Sequence, residues 1–371
     1  MKLLQLFHNL NVGATEMAVQ LAARPDVELT VMCEPESKRQ LDLKDAGIDV
    51  RPLQFRSKLD WQAVRVLRRE LQRQRYDVVH AFTSRTMAGA MLATTWLPAA
   101  PAIVGYRGIM DPVRKLDPAS WLTFLHPRLK AVSCISDSCR SGLEQSGVSR
   151  PVLRTIHLGL VPSPGVEQTW EQYGIPANAF VAVFVGNIRP VKGVDVLLAA
   201  AKQLFEGDTF PGVNGARGES MHSGPLHFAL IGEVRDQAIS ELAKSPALRD
   251  RVHLLGPVPN AQRLLGNASL FVMPSRREGL CKSLMEAMSR GVCPVISNVG
   301  GMPELVRHEQ DGLVVEPEQP AALAAAIRRL VEDHSLRQRL AASAQQRIES
   351  EFSVERMTER THQLYKDVLV A

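Results

Sequence analysis

Short apolar runs alternate with amphipathic stretches along almost the whole chain. Strands of a parallel sheet are covered on both faces, so they appear as continuous apolar runs and not as an alternation of apolar and polar residues. The first half therefore predicts a parallel α/β array. Helical patterns at 14–24, 60–74, 84–94 and 137–146 separate the runs KLLQLF, VELTVMC, DVVHAF, AIVGY and AVSCIS.

A second array of the same kind begins with FVAVFV and continues through LHFALIGEV, RVHLLG, ASLFVMPS and GVCPVIS. The Pro- and Gly-rich stretch 157–168 separates the two arrays, and a Gly-rich polar insertion at 206–225 is predicted to be a surface loop. We predict two doubly wound domains, 1–160 and 161–352, with a terminal helix at 353–371. Such sheets bind ligands at the carboxyl ends of their strands, so a cleft between the domains is the expected site.

The composition is that of a globular protein, with 45% hydrophobic and 22% charged residues. No run of about 18 apolar residues occurs, which argues against a membrane-spanning helix. The N-terminal segment MKLLQLFHNLNVG has too short an apolar region for a signal peptide and is predicted to form the first strand. These features predict a cytoplasmic location.

The cysteines predict reduced thiols in the protein core. There are five of them, and most lie within apolar runs with no Cys-x-x-Cys pair. The alternative is a zinc site on Cys134, Cys139 and His126, but their spacing matches no common ligand pattern.

The positive charge is concentrated in the first half. Residues 1–165 contain 22 Lys and Arg against 15 Asp and Glu, and residues 166–371 contain 22 against 24. An anionic lipid, a phosphorylated acceptor or a nucleic acid are possible partners of a basic domain. No helix-turn-helix, RNP or zinc pattern supports the nucleic acid, so we expect none.

An Arg-rich segment at 56–75 has helical periodicity. Trp61, Val64, Leu67 and Leu71 recur at helical spacing among the arginines. Either the helix packs on the sheet in the ordinary way, or it lies on an anionic membrane surface and presents the protein to a lipid-borne acceptor. Both interpretations remain open at this point.

The segment SRREGLCKSLMEAMSRGVCPVISNVGGMPELV, 275–306, carries the clearest chemistry. Glu278 is predicted to lie in a strand-to-helix loop, and Glu286 about two turns inside a helix that ends at Gly291. Eight helical residues span up to ~12 Å. The helix N-terminus between the two carboxylates offers N–H groups suited to phosphate, and carboxylates accept hydrogen bonds from paired hydroxyls. The arrangement suits a nucleotide sugar.

The same segment resembles the signature of glycosyltransferase family 4, which comprises retaining enzymes of the GT-B fold. That signature has two Glu separated by seven residues, then an apolar strand and a Gly-Gly…Glu turn. The resemblance implies two Rossmann-like domains facing a central cleft. It also implies that Glu286 binds the ribose of the donor, and that Glu278 holds the sugar hydroxyls together with the backbone of Gly279, Leu280 and Cys281.

The segment VFVGNIRPVKGVDVLLAA resembles the first strand, turn and helix of the family's donor domain. Lys192 matches the family's Lys, but Asn187 stands where the family usually has Arg. The resemblance implies that Lys192, with Arg189 replacing the missing charge, stabilises the departing diphosphate. Independently of any family, Gly186 permits a close turn of the backbone, and a pair of cations offsets phosphate charge.

The first domain resembles the family less closely. Gly13 is the single glycine left in the loop of LFHNLNVGATEMAVQLA, and Arg107 replaces the family's usual His near the transferred sugar. An arginine cannot act as a general base, but it can bind an anionic sugar, an anionic acceptor or the leaving phosphate. His80 either lines the cleft or is a core residue. The segment FSVERMTERTHQLYKDVL resembles the family's terminal helix, which crosses back to the first domain.

The sequence thus predicts a retaining glycosyltransferase that uses a nucleotide-sugar donor and a glycan or lipid-linked acceptor. Lipopolysaccharide, capsule or another surface glycan would be the product, made at the inner face of a membrane. No cofactor and no metal are expected, because side chains supply the positive charge. Two alternatives remain: a nucleotide-sugar epimerase or hydrolase of the same fold, with Asp111 and Asp117 as acid and base, and a non-catalytic nucleotide-sugar-binding module.

Overall fold

The computed structural model describes residues 1–148, 151–161, 168–206 and 224–370. The chain forms two compact units, one built from Met1–Val161 and Phe352–Ala371 and the other from Pro162–Glu351. Each unit is a parallel α/β array, as the apolar runs predict. The predicted linker falls partly outside the described residues, and the predicted insertion falls almost wholly outside them.

The first unit contains a seven-stranded parallel sheet in the order β3-β2-β1-β4-β5-β6-β7. The strands are β1 Lys2–Leu6, β2 Glu28–Cys33, β3 Asp49–Pro52, β4 Val78–Ala81, β5 Ala102–Arg107, β6 Leu129–Cys134 and β7 Val152–Thr155. The short strands β3 and β7 were not predicted. Both are edge strands of four residues and are less deeply buried than the inner strands, so their apolar pattern is weak.

The helices of the first unit are α1 Val12–Ala22, α2 Gln40–Asp45, α3 Trp61–Arg73, α4 Ser84–Thr94, α5 Pro118–Trp121, α6 Asp137–Gln145 and the C-terminal helix α14 Val354–Val370. The longer helices lie within about two residues of the predicted stretches, whereas the short helices α2 and α5 were not predicted. Helix α14 packs against α1 and adds Val354, Leu364 and Tyr365 to the main core of this unit. Burial of large apolar side chains, at roughly 25 cal/mol per Å², holds the C-terminal helix there.

The second unit contains a six-stranded parallel sheet in the order β10-β9-β8-β11-β12-β13. The strands are β8 Phe180–Val185, β9 Leu226–Ile231, β10 Val252–Gly256, β11 Leu270–Met273, β12 Cys293–Ser297 and β13 Leu313–Val315. The α-helices are α7 Val194–Glu206, α8 Gln237–Ala243, α9 Gln262–Leu265, α10 Lys282–Met288, α11 Met302–Leu305, α12 Pro320–Glu332 and α13 His334–Glu351. Short 3-10 helices lie at Glu171–Tyr173 and Pro190–Lys192.

All five cysteines are buried free thiols, as the sequence predicts. Burial raises the pKa of the Cys134 and Cys293 thiols to about 12, so they are neutral at physiological pH. Among the described residues, no helix is both long enough and apolar enough to span a bilayer.

Candidate active site

The candidate site lies at the carboxyl edge of the second sheet. Strand β8 lies between two neighbours in this sheet: β9, which follows it in the chain, pairs along one edge, and β11 pairs along the other edge. The strand order therefore reverses between β8 and β11, and ligands of open α/β sheets bind at such reversal points. The loops that follow these two strands carry most of the residues that the sequence singled out.

Two glycines allow these loops to touch through their backbones. A Cβ on Gly193, which has φ +65°, would lie 2.0 Å from the carbonyl oxygen of Pro274 at the end of β11. A Cβ on Gly232, which has φ +143° and follows β9, would lie 2.1 Å from the carbonyl oxygen of Gly186. Neither Gly193 nor Gly232 was a sequence candidate, although Gly193 follows the predicted turn and Gly232 lies within the run LHFALIGEV. Only glycine fits both the space and the left-handed backbone.

Lys192 and Glu278 form an ion pair across the reversal point. Their sequence positions differ by 86 residues, and the pairing of β8 with β11 brings them together. The side chains are 21% and 15% exposed, so the pair is only partly screened by water. The site thus presents one cation and one carboxylate side by side, and both remain accessible from solvent.

Arg276 fixes the position of both loops, and the sequence analysis missed it. Its guanidinium makes two parallel bonds to the Asp195 carboxylate, at 2.9 and 2.7 Å, and a third to Glu318 at 2.6 Å. Its backbone N–H donates to the carbonyl of Val191 at 2.8 Å. Hydrogen bonding from Arg276 lowers the pKa of Asp195, which keeps the pair ionised. Its partners are distant in sequence, so no local signal identifies this residue.

Helix α10 is shorter than predicted. It begins at Lys282 and ends at Met288, so Glu286 lies about one turn inside it and not two, and Gly291 is beyond its end. The Glu286 carboxylate is paired with Lys282 at 2.9 Å and is partly exposed. The hydroxyl of Ser283 donates to the carbonyl of Val185 at 2.8 Å, which attaches this helix to the end of β8.

The segment before α10 makes backbone hydrogen bonds to the loop that follows β12. The carbonyl of Gly279 accepts a hydrogen bond from Gly301 N–H at 3.1 Å, so the Gly-Gly turn after β12 joins the site. Leu280 and Cys281 are buried. Burial, with a smaller contribution from the charge of Glu278, raises the pKa of the Cys281 thiol to about 11. The Cys281 thiol is therefore a neutral packing group.

Arg189 is exposed, one residue before the 3-10 helix that contains Lys192. A hydrogen bond from Arg235 lowers the pKa of Glu233, which follows β9, and the charge of Arg189 makes a smaller contribution in the same direction. Ile188 forms a β-bridge with Val234 after β9, which places Arg189 on the β9 side of the loop, whereas Lys192 lies toward β11.

His80 lies in the core of the first unit, with both ring nitrogens bonded. Nδ1 lies 2.8 Å from the Tyr365 hydroxyl, and Nε2 lies 3.1 Å from the hydroxyl of Ser133. Gln5 donates to Tyr365 at 3.1 Å, and Ser133 donates to the carbonyl of Gly105 at 3.3 Å. Burial lowers the pKa of His80 to about 3, so the ring is neutral. This is the environment of a core histidine.

The other candidates of the first unit lie near the carboxyl ends of its strands. A Cβ on Gly13, near the start of α1, would lie 3.1 Å from the carbonyl oxygen of Gly159. Arg107 ends β5, and its guanidinium is buried 4.8 Å from the centre of the Phe124 ring and donates to the carbonyl of Asp111. Burial lowers the pKa of Arg107. Asp117 caps α5 by accepting from the N–H of the next residue but one, at 3.0 Å.

Two family models match the chain, described as "Glycosyl transferases group 1" over residues 166–347 and "Glycosyl transferase 4-like domain" over residues 10–159. Among curated proteins, D-inositol 3-phosphate glycosyltransferase of Thermomonospora curvata is 32% identical over 213 residues, which are 56% of this chain and 47% of that protein. Lipopolysaccharide core biosynthesis glycosyltransferase LpsD of Rhizobium meliloti is 30% identical over 199 residues, 53% of this chain and 52% of that protein.

N-acetyl-alpha-D-glucosaminyl L-malate synthase of Bacillus anthracis is 25% identical over 258 residues, 63% of each chain. The match thus spans about half of the length of the curated relatives. Among solved structures, Anabaena Alr3699/HepE in complex with UDP has a TM-score of 0.76 at 19% identity, covering 99% of this chain and 100% of that one. Sucrose-phosphate synthase from Thermosynechococcus elongatus has a TM-score of 0.77 at 18% identity, covering 100% and 99%. These likenesses concern the fold.

Proposed function

The chain belongs to glycosyltransferase family 4 and has the GT-B fold, and on that premise we propose that it transfers a sugar, with retention of anomeric configuration, from a nucleotide sugar to a hydroxyl acceptor. The observation that carries the proposal is the Lys192–Glu278 pair at the strand reversal of the second unit. A cation for the diphosphate and a carboxylate for the sugar hydroxyls stand next to each other there, and Glu286 lies about one turn further along.

On donor binding, Lys192 exchanges its contact with Glu278 for the diphosphate, and Glu278 becomes an acceptor for the sugar hydroxyls. A charge-assisted hydrogen bond of this kind contributes about 1.5–3 kcal/mol. Glu286 accepts from the ribose hydroxyls, and Arg189 adds positive charge on the β9 side of the loop. Arg276 keeps the two loops in register and contacts no part of the donor.

The proposed reaction breaks the bond between the anomeric carbon and the diphosphate oxygen. The acceptor oxygen forms the new bond to that carbon from the same face, and the acceptor proton passes to the leaving diphosphate. No protein base is required, which accords with Arg107 standing where a histidine would be expected. Lys192 stabilises the negative charge that develops on the diphosphate. We propose that this charge stabilisation needs no divalent metal.

We propose a uridine diphosphate sugar as the first donor to test, because the Anabaena protein is described with UDP and with UDP-glucose. For the acceptor we propose an anionic group. Two relatives are named for anionic compounds, D-inositol 3-phosphate and L-malate. Among the described residues, Nε of the buried Arg107 has no hydrogen-bond partner, which also favours an anion at the end of β5. Arg107→Gln should then raise KM for an anionic acceptor and leave donor affinity unchanged.

The product is proposed to be a surface glycan such as lipopolysaccharide or capsule, a choice that the Rhizobium relative supports. We place the protein at the cytoplasmic face of an anionic membrane, since its first half is basic. A lipid-linked acceptor would be reached from that position.

The test is a thermal-shift panel of UDP-, GDP-, ADP-, CMP- and dTDP-linked sugars, run with and without EDTA. One nucleotide class at 100 times its Kd should stabilise the wild type by about 2.7 kcal/mol. Lys192→Gln and Glu286→Gln should lose most of that shift. Glu241→Gln is the matched control, because its carboxylate is exposed on α8 of the same unit.

A shift that the two site variants retain would place the donor elsewhere and refute the assignment. For the donor class that binds, release of nucleoside diphosphate and the anomeric configuration of the product, read by NMR, test transfer and retention. Binding without transfer to any hydroxyl acceptor would favour the non-catalytic binding module. Loss of the shift with EDTA would contradict the metal-free scheme.

A further inference from the structure

Helix α3 of the first unit presents a basic and apolar face that no other described element covers. Val64, Leu67 and Leu71 are buried as the periodicity predicts, but Trp61 is not: its side chain is 58% exposed. Val66 on the same face is 40% exposed. A helix with a buried apolar stripe and a second, exposed apolar set among arginines has more hydrophobic surface than packing on its own sheet requires.

The arginines of this face make no ion pairs with carboxylates among the described residues. Arg65, Arg69 and Arg73 are exposed, and within the described ranges none of them forms an ion pair. The two acids of the segment are occupied internally. Asp60 caps α3 by accepting from the N–H of Ala63, and Glu70 is buried.

A second tryptophan extends the face. Helix α3 packs against α4, and Arg68 donates to the carbonyl of Thr95 at 2.8 Å, which fixes the end of α4 beside α3. The next residue, Trp96, is 85% exposed and has φ +59°, a left-handed conformation in which a glycine is usual. A large indole is thus held out into solvent at a position where packing does not need it.

The face continues into a shallow groove of about 180 Å³ between the start of α3 and the ends of β2 and β3. Its lining combines apolar side chains, among them Pro35, Leu53, Ala63 and Val66, with the polar side chains of Gln54, Arg56, Asp60 and Gln62. A groove with both apolar and polar lining suits the junction of a headgroup and an acyl chain.

We propose that the α3 face, made of Trp61, Arg65, Val66, Arg69, Arg73 and Trp96, docks on the headgroup region of a bilayer that contains anionic lipids. Indoles partition to the membrane interface, where one part of the ring is apolar and the N–H stays hydrated, and each arginine near the surface attracts anionic headgroups. The proposal rests on the proposed function only in its purpose, which is to hold the enzyme at a membrane that carries its acceptor.

Other occupants fit less well. A second copy related by a two-fold axis would place arginines against arginines. A nucleic acid would meet the arginines and indoles but offers no apolar contact to Val66 or to the other apolar side chains of the groove. A bilayer surface satisfies the charged, aromatic and aliphatic parts of the face together.

The test is co-sedimentation of the full chain with vesicles of phosphatidylglycerol and phosphatidylcholine, compared with vesicles of phosphatidylcholine alone. We expect binding to the anionic vesicles only, and a strong decrease at high salt. The triple variant Arg65→Gln/Arg69→Gln/Arg73→Gln should bind about a hundredfold more weakly, from roughly fivefold per arginine. The control triple Lys202→Gln/Lys244→Gln/Arg249→Gln removes the same charge from exposed positions of the second unit and should bind like the wild type.

Trp96→Gly separates a docking role from a structural one. It removes the indole and relieves the left-handed backbone, so the variant should fold at least as well as the wild type and still bind anionic vesicles more weakly. The wild type should also show a blue shift of tryptophan emission on vesicle binding, and the Trp61→Ala/Trp96→Gly variant should lose it.

Equal binding of the arginine triple and its control, equal binding to both kinds of vesicle, or no binding by the wild type would each overturn the proposal. Donor-induced thermal shifts arise in the second unit and should be unchanged in every α3 variant. Failure of membrane docking is therefore distinguishable from failure of the proposed transfer activity.

Discussion

Substitution of Gly193 by alanine tests whether the close approach of two loops builds the donor site. Gly193 caps the 3-10 helix that contains Lys192, with φ +65° and its Cα against the end of β11. Gly174 is a matched control, because it caps the other 3-10 helix of the same unit with φ +75° and has no atom within 4 Å of a Cβ. Both variants place an alanine in a left-handed backbone conformation, but only in Gly193→Ala does the new methyl group also collide with a neighbouring loop.

The magnitudes follow from these two environments. A left-handed alanine costs about 1 kcal/mol, which is the whole effect expected for Gly174→Ala. At Gly193 the new methyl would lie 2.0 Å from the carbonyl oxygen of Pro274, so the backbone must move. Such overpacking adds about 1–3 kcal/mol, for a total of about 2–4 kcal/mol. The movement separates Lys192 from Glu278, so donor affinity should fall as well.

The assay is urea unfolding of the second unit. The background carries Trp61→Phe, Trp96→Phe and Trp121→Phe, at three exposed positions. The buried Trp170 is then the only remaining tryptophan, and its fluorescence reports on the second unit. The change in midpoint at constant slope gives the loss of stability. If Gly193→Ala and Gly174→Ala lose equal stability, or if Gly193→Ala binds the donor normally, the contact between the loops does not build the site.

Three further predictions concern hydrogen-bonded polar side chains. Tyr365→Phe leaves Nδ1 of His80 and the side-chain N–H of Gln5 without their partner, although His80 keeps its contact with Ser133. The change should cost the first unit about 1–3 kcal/mol in urea unfolding; an unchanged midpoint would contradict this. The folded-state pKa of His80 is about 3 against 6.5 for the ordinary group, so only the unfolded state takes up this proton between those values and stability falls as the pH is lowered through that window. The titration of His80 should lower the free energy of unfolding by about 2 kcal/mol between pH 7 and pH 5. In His80→Asn, the slope of unfolding free energy against pH should decrease by the equivalent of up to one proton. Arg276→Lys loses the two-pronged contact with Asp195 and should weaken donor binding in calorimetry more than it lowers stability; normal affinity would show that the clamp is not needed.

The sequence predicted some parts of the structure well and others poorly. Helix α3 was predicted at 60–74 and occupies Trp61–Arg73, because its buried stripe repeats at helical spacing. The same periodicity placed Trp61 with the buried set, where the structure exposes it. Position on a helix wheel limits which side chains lie together, but the neighbouring elements decide which of them are covered. Helix α10 was predicted to end at Gly291, but it ends three residues earlier, at Met288.

The local pattern of this sequence determined the two α/β arrays, most strands and long helices, the buried thiols and the motif around Glu278. These features depend on residues that lie within a few positions of one another. Only the tertiary structure decided that β11 pairs with β8, which joins Lys192 to Glu278, and that Arg276 holds both loops. It also placed His80 in the core, bonded to a tyrosine of the last helix. Strand order and contacts between distant segments arise from the packing of whole elements around a core. This packing produces no periodic pattern in the sequence from which it could be predicted.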